Sequence, residues 1–133
     1  MSTDARQIRG AKTDGLSLGE DPPVFILSTG RSGSTMLARA LGMHPGLYTL
    51  HEPQPKLNAE SFAIWSGSHA IDEIASKVAL KRDWLVAQTH YQDLVYVESA
   101  YFLAHLIPLL DRLYGAKIIH LYRNGKDFVR SGY

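Results

Sequence analysis

Apolar and polar positions change period several times along this chain, and each change predicts an element. Val24-Phe25-Ile26-Leu27 is a continuous apolar run between Pro22-Pro23 and Ser28-Thr29-Gly30, the pattern of a strand covered on both faces. A helix is expected from Ser34 or Thr35 through Met36-Leu37-Ala38-Arg39-Ala40-Leu41, stopping before the breaker cluster His44-Pro45-Gly46. Leu47-Tyr48-Thr49-Leu50 reads as a short second strand leading into His51-Glu52-Pro53-Gln54-Pro55. Ser68 is placed to cap a helix over 70–81, with Ile71, Ile74, Ala75 and Val78 at helical spacing. Trp84-Leu85-Val86-Ala87 reads as a strand ending at Gln88-Thr89-His90. A helical stretch over 98–114 follows, with Leu103, Leu106, Ile107, Leu110 and Leu113 on one side. Pro108 should kink it or begin a second segment, and Gly115 closes it. Lys117-Ile118-Ile119-His120-Leu121-Tyr122 has the pattern of a buried strand, and Arg123-Asn124-Gly125-Lys126 turns the chain into a final helix.

Strands alternating with helices predict an α/β domain: a parallel sheet with helices on both faces and ligands at the carboxyl ends of its strands. The glycine-bearing turns at 29–34 and 123–126 both follow such ends and should face one crevice. Residues 1–21 mix Ser, Thr, Gly, Asp and Arg without periodicity and are expected to form a disordered tail, leaving 22–133 as one domain.

Composition narrows the chemistry. The chain has 133 residues, a formal net charge of +1 and no cysteine, which excludes disulfides, thiolate catalysis and cysteine-based zinc sites. No uniform basic surplus points to nucleic acid, and no run approaches a membrane span or a signal sequence, so a cytoplasmic protein is expected. Charge is nevertheless uneven. From Arg112 to Tyr133 there are five cations (Arg112, Lys117, Arg123, Lys126, Arg130) against Asp127 alone, a net of +4 that favours an anionic ligand near this end.

Two constellations follow strand ends. In the first, Thr29-Gly30-Arg31-Ser32-Gly33-Ser34-Thr35, the two glycines allow close backbone approach to an anion. Ser34 and Thr35 add hydroxyls and N–H groups at a helix start, and Arg31 adds a planar charged fork. The triphosphatase pattern G-x-x-x-x-G-K-[ST] fails here, since only two residues separate Gly30 and Gly33 and Ser34 stands where lysine is required. The ligand is therefore a phosphate- or sulfate-bearing nucleotide that needs no loop lysine. In the second, Arg123-Asn124-Gly125-Lys126-Asp127, Ser131 follows about two helical turns after Arg123, so the pair can hold a second phosphate by a charged fork and a hydroxyl.

Taken together, the two constellations resemble the sulfotransferases that use 3′-phosphoadenosine 5′-phosphosulfate (PAPS), over roughly residues 24–133. The Arg-for-Lys loop resembles the carbohydrate, tyrosyl-protein and bacterial branches more than the cytosolic small-molecule branch. The resemblance implies a P-loop-like α/β fold and no obligatory metal. It gives the 5′-phosphosulfate to the loop Thr29 to Thr35 and the 3′-phosphate to Arg123 and Ser131. Residues that close over the cofactor in this family would lie past Tyr133, so the chain is expected to be the N-terminal portion of a sulfotransferase domain, inactive alone.

Attack by an alcohol on sulfur needs a group to take the hydroxyl proton, and Glu52, after the second strand end, offers a carboxylate. In the Arg-loop branches a glutamate at about this distance serves as the base. His90 competes: Gln88-Thr89-His90 keeps two residues of the Lys-Thr-His sequence that carries the catalytic histidine of the cytosolic branch. Catalysis would then draw on Arg31, Glu52 or His90, and the partner implied is an acceptor substrate bearing a hydroxyl or amine. A P-loop nucleotide or small-molecule kinase and a nucleotide-binding module without turnover are the alternatives.

Overall fold

The computed structural model describes residues 21–28, 33–122, 124 and 126. Four strands are ordered β2-β3-β1-β4: β1 (Val24–Ser28), β2 (Leu47–His51), β3 (Val95–Ala100) and β4 (Lys117–Leu121). Every pairing is parallel, with Leu27 opposite both Ala100 and His120, and His51 opposite Ser99. Between the strands run α1 (Ser34–Gly42), α2 (Asn58–Ser66), α3 (Ile71–Tyr91), a 3₁₀ segment at Tyr101–Leu106 and α4 (Ile107–Tyr114). The result is a small α/β domain with helices on both faces of a parallel sheet. The disordered tail expected at 1–21 lies, apart from Asp21, outside the described residues.

Alternation along the strands gives the two faces different chemistry. Phe25, Leu27, Tyr96 and Ala100 face one side, where they join Leu57, Ile74, Val78, Leu103, Leu106, Leu110 and Tyr114 in the core. Phe25 anchors it, with its ring 6.1 Å from Tyr96 and 6.4 Å from Tyr114. The other face carries Ile26, Val97, Thr49, His51, Ser99 and Ser28 and packs against α1, from which Ala38 is buried. That face ends in polar side chains toward the carboxyl edge.

The structure departs from the sequence pattern at four places. Trp84–Ala87 is not a strand: α3 runs without a break from Ile71 to Tyr91, and its buried residues Ile74, Ala75, Val78, Arg82, Leu85, Val86 and Thr89 keep helical spacing throughout. A short apolar run looks alike in a strand and in a covered helix, and here the helix wins because nothing between 71 and 91 breaks it. The third strand is instead Val95–Ala100, where the polar pair Glu98-Ser99 reads as the start of a helix. The helix expected over 98–114 is thereby shortened to a 3₁₀ segment and α4, and Pro108 starts the latter as its ring requires. Ser68 does not cap α3. Its hydroxyl bonds His69 Nδ1 at 2.9 Å, and Ala70 precedes the helix in an extended conformation. Finally, β4 is an edge strand among the described residues, so Ile119 is 45 % exposed where the pattern suggested burial.

Candidate functional site

The carboxyl ends of β1, β2 and β3 collect the polar groups. Ser28 closes β1, and after the glycine-rich loop Gly33 enters α1 at φ 90° with its carbonyl accepting the Leu37 N–H at 2.9 Å. This left-handed conformation suits glycine and turns the chain sharply into the helix. A Cβ built there would meet nothing within 4 Å, so conformation and not crowding requires the glycine. Ser34 is buried and Thr35 is exposed in the first turn, where backbone N–H groups lack partners within the helix.

Glu52 stands immediately after β2. Its backbone N–H donates to Ser99 O at 2.8 Å, which extends the β2–β3 pairing by one residue. Its φ is 47°, left-handed for a residue with a full side chain, at a cost of about 1 kcal/mol or more. Such strain persists only where the surroundings over-determine it, and the surroundings here are specific. On one side is His51, whose Nε2 lies 3.2 Å from Thr35 Oγ1 and 3.6 Å from Glu52 Oε2. Glu52, β2 and the start of α1 therefore meet at one point.

On the other side, α3 holds the segment that follows Glu52. Arg82 and Glu98 are both fully buried and paired, Nε to Oε1 at 2.5 Å and Nη2 to Oε2 at 3.2 Å. The remaining guanidinium hydrogens reach Pro55 O at 2.7 Å, Lys81 O at 3.2 Å and Pro53 O at 3.4 Å. Tyr96 completes the network by donating its hydroxyl to Glu98 Oε1 at 2.7 Å. Burial pushes the Tyr96 phenol far above its usual value, and the adjacent Glu98 carboxylate pushes it the same way. Lys81, the neighbour of Arg82 on α3, pairs with buried Glu60 and donates to Lys56 O at 3.0 Å. Two consecutive cations thus fasten segment 53–60 to α3. Their sequence signal is slight, since Lys81-Arg82 reads as a solvated helix face and Glu98 has no visible partner nearby.

The structure brings Gly33, Ser34, Thr35 and Glu52 to the same edge of the sheet. It does not bring His90 there. His90 lies in the last turn of α3, which connects to the amino end of β3 through the Thr89 carbonyl accepting Leu94 N–H at 3.1 Å. That places it about one strand length, roughly 15–20 Å, from the edge that carries Glu52. Thr29, Gly30, Arg31, Ser32, Arg123 and Ser131 fall outside the described residues. Their flanking strand ends are nevertheless adjacent: Ser28 of β1 is in register with Leu121 of β4. Past β4, Asn124 Oδ1 accepts the Lys126 N–H at 2.9 Å, a side-chain-closed turn.

Four buried side-chain atoms near this edge lack a hydrogen-bond partner among the described residues: Ser28 Oγ, Thr49 Oγ1, His51 Nδ1 and Ser99 Oγ. All four lie on the α1 face of the sheet, with Ser28, His51 and Ser99 at or beside its carboxyl edge. A separate cleft of about 270 Å³ lies between α2 and the 3₁₀ segment, lined by Phe62, Trp65, Tyr101, Phe102, His105 and neutral polar side chains. Among the described residues no three His, Asp or Glu side chains gather as metal ligands, and no helix is long and apolar enough to cross a membrane.

Compared with protein-family models, with curated proteins and with solved structures, the chain matches none.

Proposed function

We propose that this chain is the nucleotide-binding part of a sulfotransferase that moves a sulfuryl group from PAPS to an acceptor hydroxyl or amine. The observation that carries the reading is Glu52: a strained carboxylate residue at a strand end, joined through His51 to the helix that follows the glycine-rich loop. A carboxylate in that position can take the acceptor's proton as the new O–S or N–S bond forms. The first turn of α1, whose N–H groups have no partner within the helix, suits with the Thr35 hydroxyl the negative charge left on the departing phosphate. The Ser28 hydroxyl, buried directly before the loop and without a partner among the described residues, is a further donor that fits an anion. By resemblance, Arg31 shares that charge and Arg123 with Ser131 holds the 3′-phosphate.

Calorimetry on the full chain tests this. Adenosine 3′,5′-bisphosphate should bind at least tenfold more tightly than adenosine 5′-monophosphate and than ATP with Mg²⁺. Preference for ATP with Mg²⁺ would assign the fold to a kinase instead, and no binding of any of the three would remove the nucleotide site altogether.

A further inference from the structure

We propose that His51 is a positioning residue, which carries its ring proton on Nε2 and uses it to tie Glu52 to the phosphate-facing start of α1 through Thr35. The inference rests on reading Glu52 as the base and the α1 entry as the anion site, but the arrangement itself is visible without either.

The placement of the proton follows from the two nitrogens' surroundings. Nδ1 is buried and has no partner among the described residues. A proton there would be an orphaned buried donor, the rarest kind of unsatisfied group. Nε2 has two acceptors within reach, Thr35 Oγ1 at 3.2 Å and Glu52 Oε2 at 3.6 Å. A proton on Nε2 makes a hydrogen bond to Thr35 and an electrostatic contact with the carboxylate, whose separation is too long for a full hydrogen bond. The Nε2–H tautomer therefore satisfies more of the site than its alternative.

That choice fixes the direction of the chain of bonds. Thr35 Oγ1 accepts from His51, so its own hydroxyl proton is left to donate away from His51, outward from the exposed first turn of α1. An anion oxygen bound there would take that proton, and the two bonds through one hydroxyl oxygen would strengthen each other. The imidazole is then clamped between β2, which carries it, and α1. Its Nε2 edge lies in electrostatic contact with the Glu52 carboxylate. Filling the anion site would in this way steady the base before an acceptor arrives. His51 itself touches neither reactant in this scheme; it acts through Glu52 and Thr35.

The test is ¹⁵N NMR of the full chain labelled at histidine, with the His51 signals assigned by their loss in His51→Gln. The proposal expects the Nε2–H tautomer for His51. It also expects Thr35→Val to move the His51 Nε2 resonance and Thr35→Ser to restore it. Addition of adenosine 3′,5′-bisphosphate should shift that resonance further than those of the other histidines, and the shift should vanish in Thr35→Val. A proton found on Nδ1, or a resonance indifferent to Thr35→Val, would overturn the proposal whatever the ligand does. Bisphosphate that binds calorimetrically without moving the His51 signal would overturn the coupling. Bisphosphate that fails to bind would overturn the nucleotide reading instead, while the tautomer and the Thr35 variants still decide how His51 is held.

Discussion

Arg82→Met should be among the most damaging single substitutions in this chain. Methionine keeps much of the apolar stem of arginine but removes the guanidinium that is wholly buried against Glu98. Glu98 would keep only the Tyr96 hydroxyl, and the carbonyls of Pro53 and Pro55 would lose their donor. Leaving one member of a buried pair uncompensated costs about 3–5 kcal/mol, against a total stability of about 5–15 kcal/mol for a domain of this kind. In urea, with a slope of about 1–3 kcal/mol per molar, the midpoint should fall by roughly 2 M. Unfolding can be followed by the fluorescence of Trp65 on α2 and Trp84 on α3. Replacing the whole network as Arg82→Met, Glu98→Leu and Tyr96→Phe should recover stability to within about 1 kcal/mol of the parent, because no buried charge or hydroxyl is then stranded. The prolyl carbonyls, in a segment that is partly exposed, can turn to water. Segment 53–55 should loosen even in the recovered variant, seen as faster amide exchange at Gln54 and Lys56. A single variant within about 1 kcal/mol of the parent, or a triple variant no better than the single, would refute the reasoning.

Further outcomes follow from the same site. Glu52→Gln should lower sulfuryl transfer from PAPS by about 10²–10⁴-fold in any form of the protein that turns over, with bisphosphate affinity nearly unchanged, while His90→Ala should leave turnover within a few-fold. Loss of turnover in the histidine variant alone would transfer the role of base. Arg123→Ala should weaken adenosine 3′,5′-bisphosphate by a few kcal/mol and hardly affect the 5′-monophosphate; equal losses would contradict its assignment to the 3′-phosphate. Tyr96 and Tyr114 are both held above the usual phenol value of 10.0, first by burial and then by Glu98 and Asp83 respectively. Their folded forms keep protons that the unfolded chain releases, so their contribution is intact below about pH 10 and is lost as pH rises beyond it. The slope there should be about 1.4 kcal/mol per pH unit for each phenol, and Tyr96→Phe or Tyr114→Phe should remove its share, as measured by urea midpoints from pH 9 to 11.5.

What the sequence determined by itself was local. The apolar run at 24–27, the glycine that must precede α1, the breaker at 44–46 and the short strand leading into Glu52 each follow from a few adjacent residues. The structure has β1, α1 and β2 where those residues require them. Pro108 likewise announced the start of α4. The apolar run at 47–50 also placed Glu52 at a strand end, and parallel topology then carried it to the edge where the glycine-rich loop begins. Tertiary structure decided the remainder. Lys81 and Arg82 in sequence belong on a wet helix face, and Glu98 in sequence does not belong in a strand. Arg82 and Glu98 are buried because they meet each other between α3 and β3, while Lys81 is half-buried against Glu60 of α2; no local pattern records either meeting. Tertiary structure likewise carries α3 through 84–91 and sets the third strand at Val95–Ala100. It also separates His90 from Glu52, although both precede or follow strands in the linear pattern, since α3 returns the chain to the amino edge. His51 carried no signal beyond being a histidine. Its nearness to Thr35 exists only because α1 packs over the end of β2, and that contact is a property of the fold.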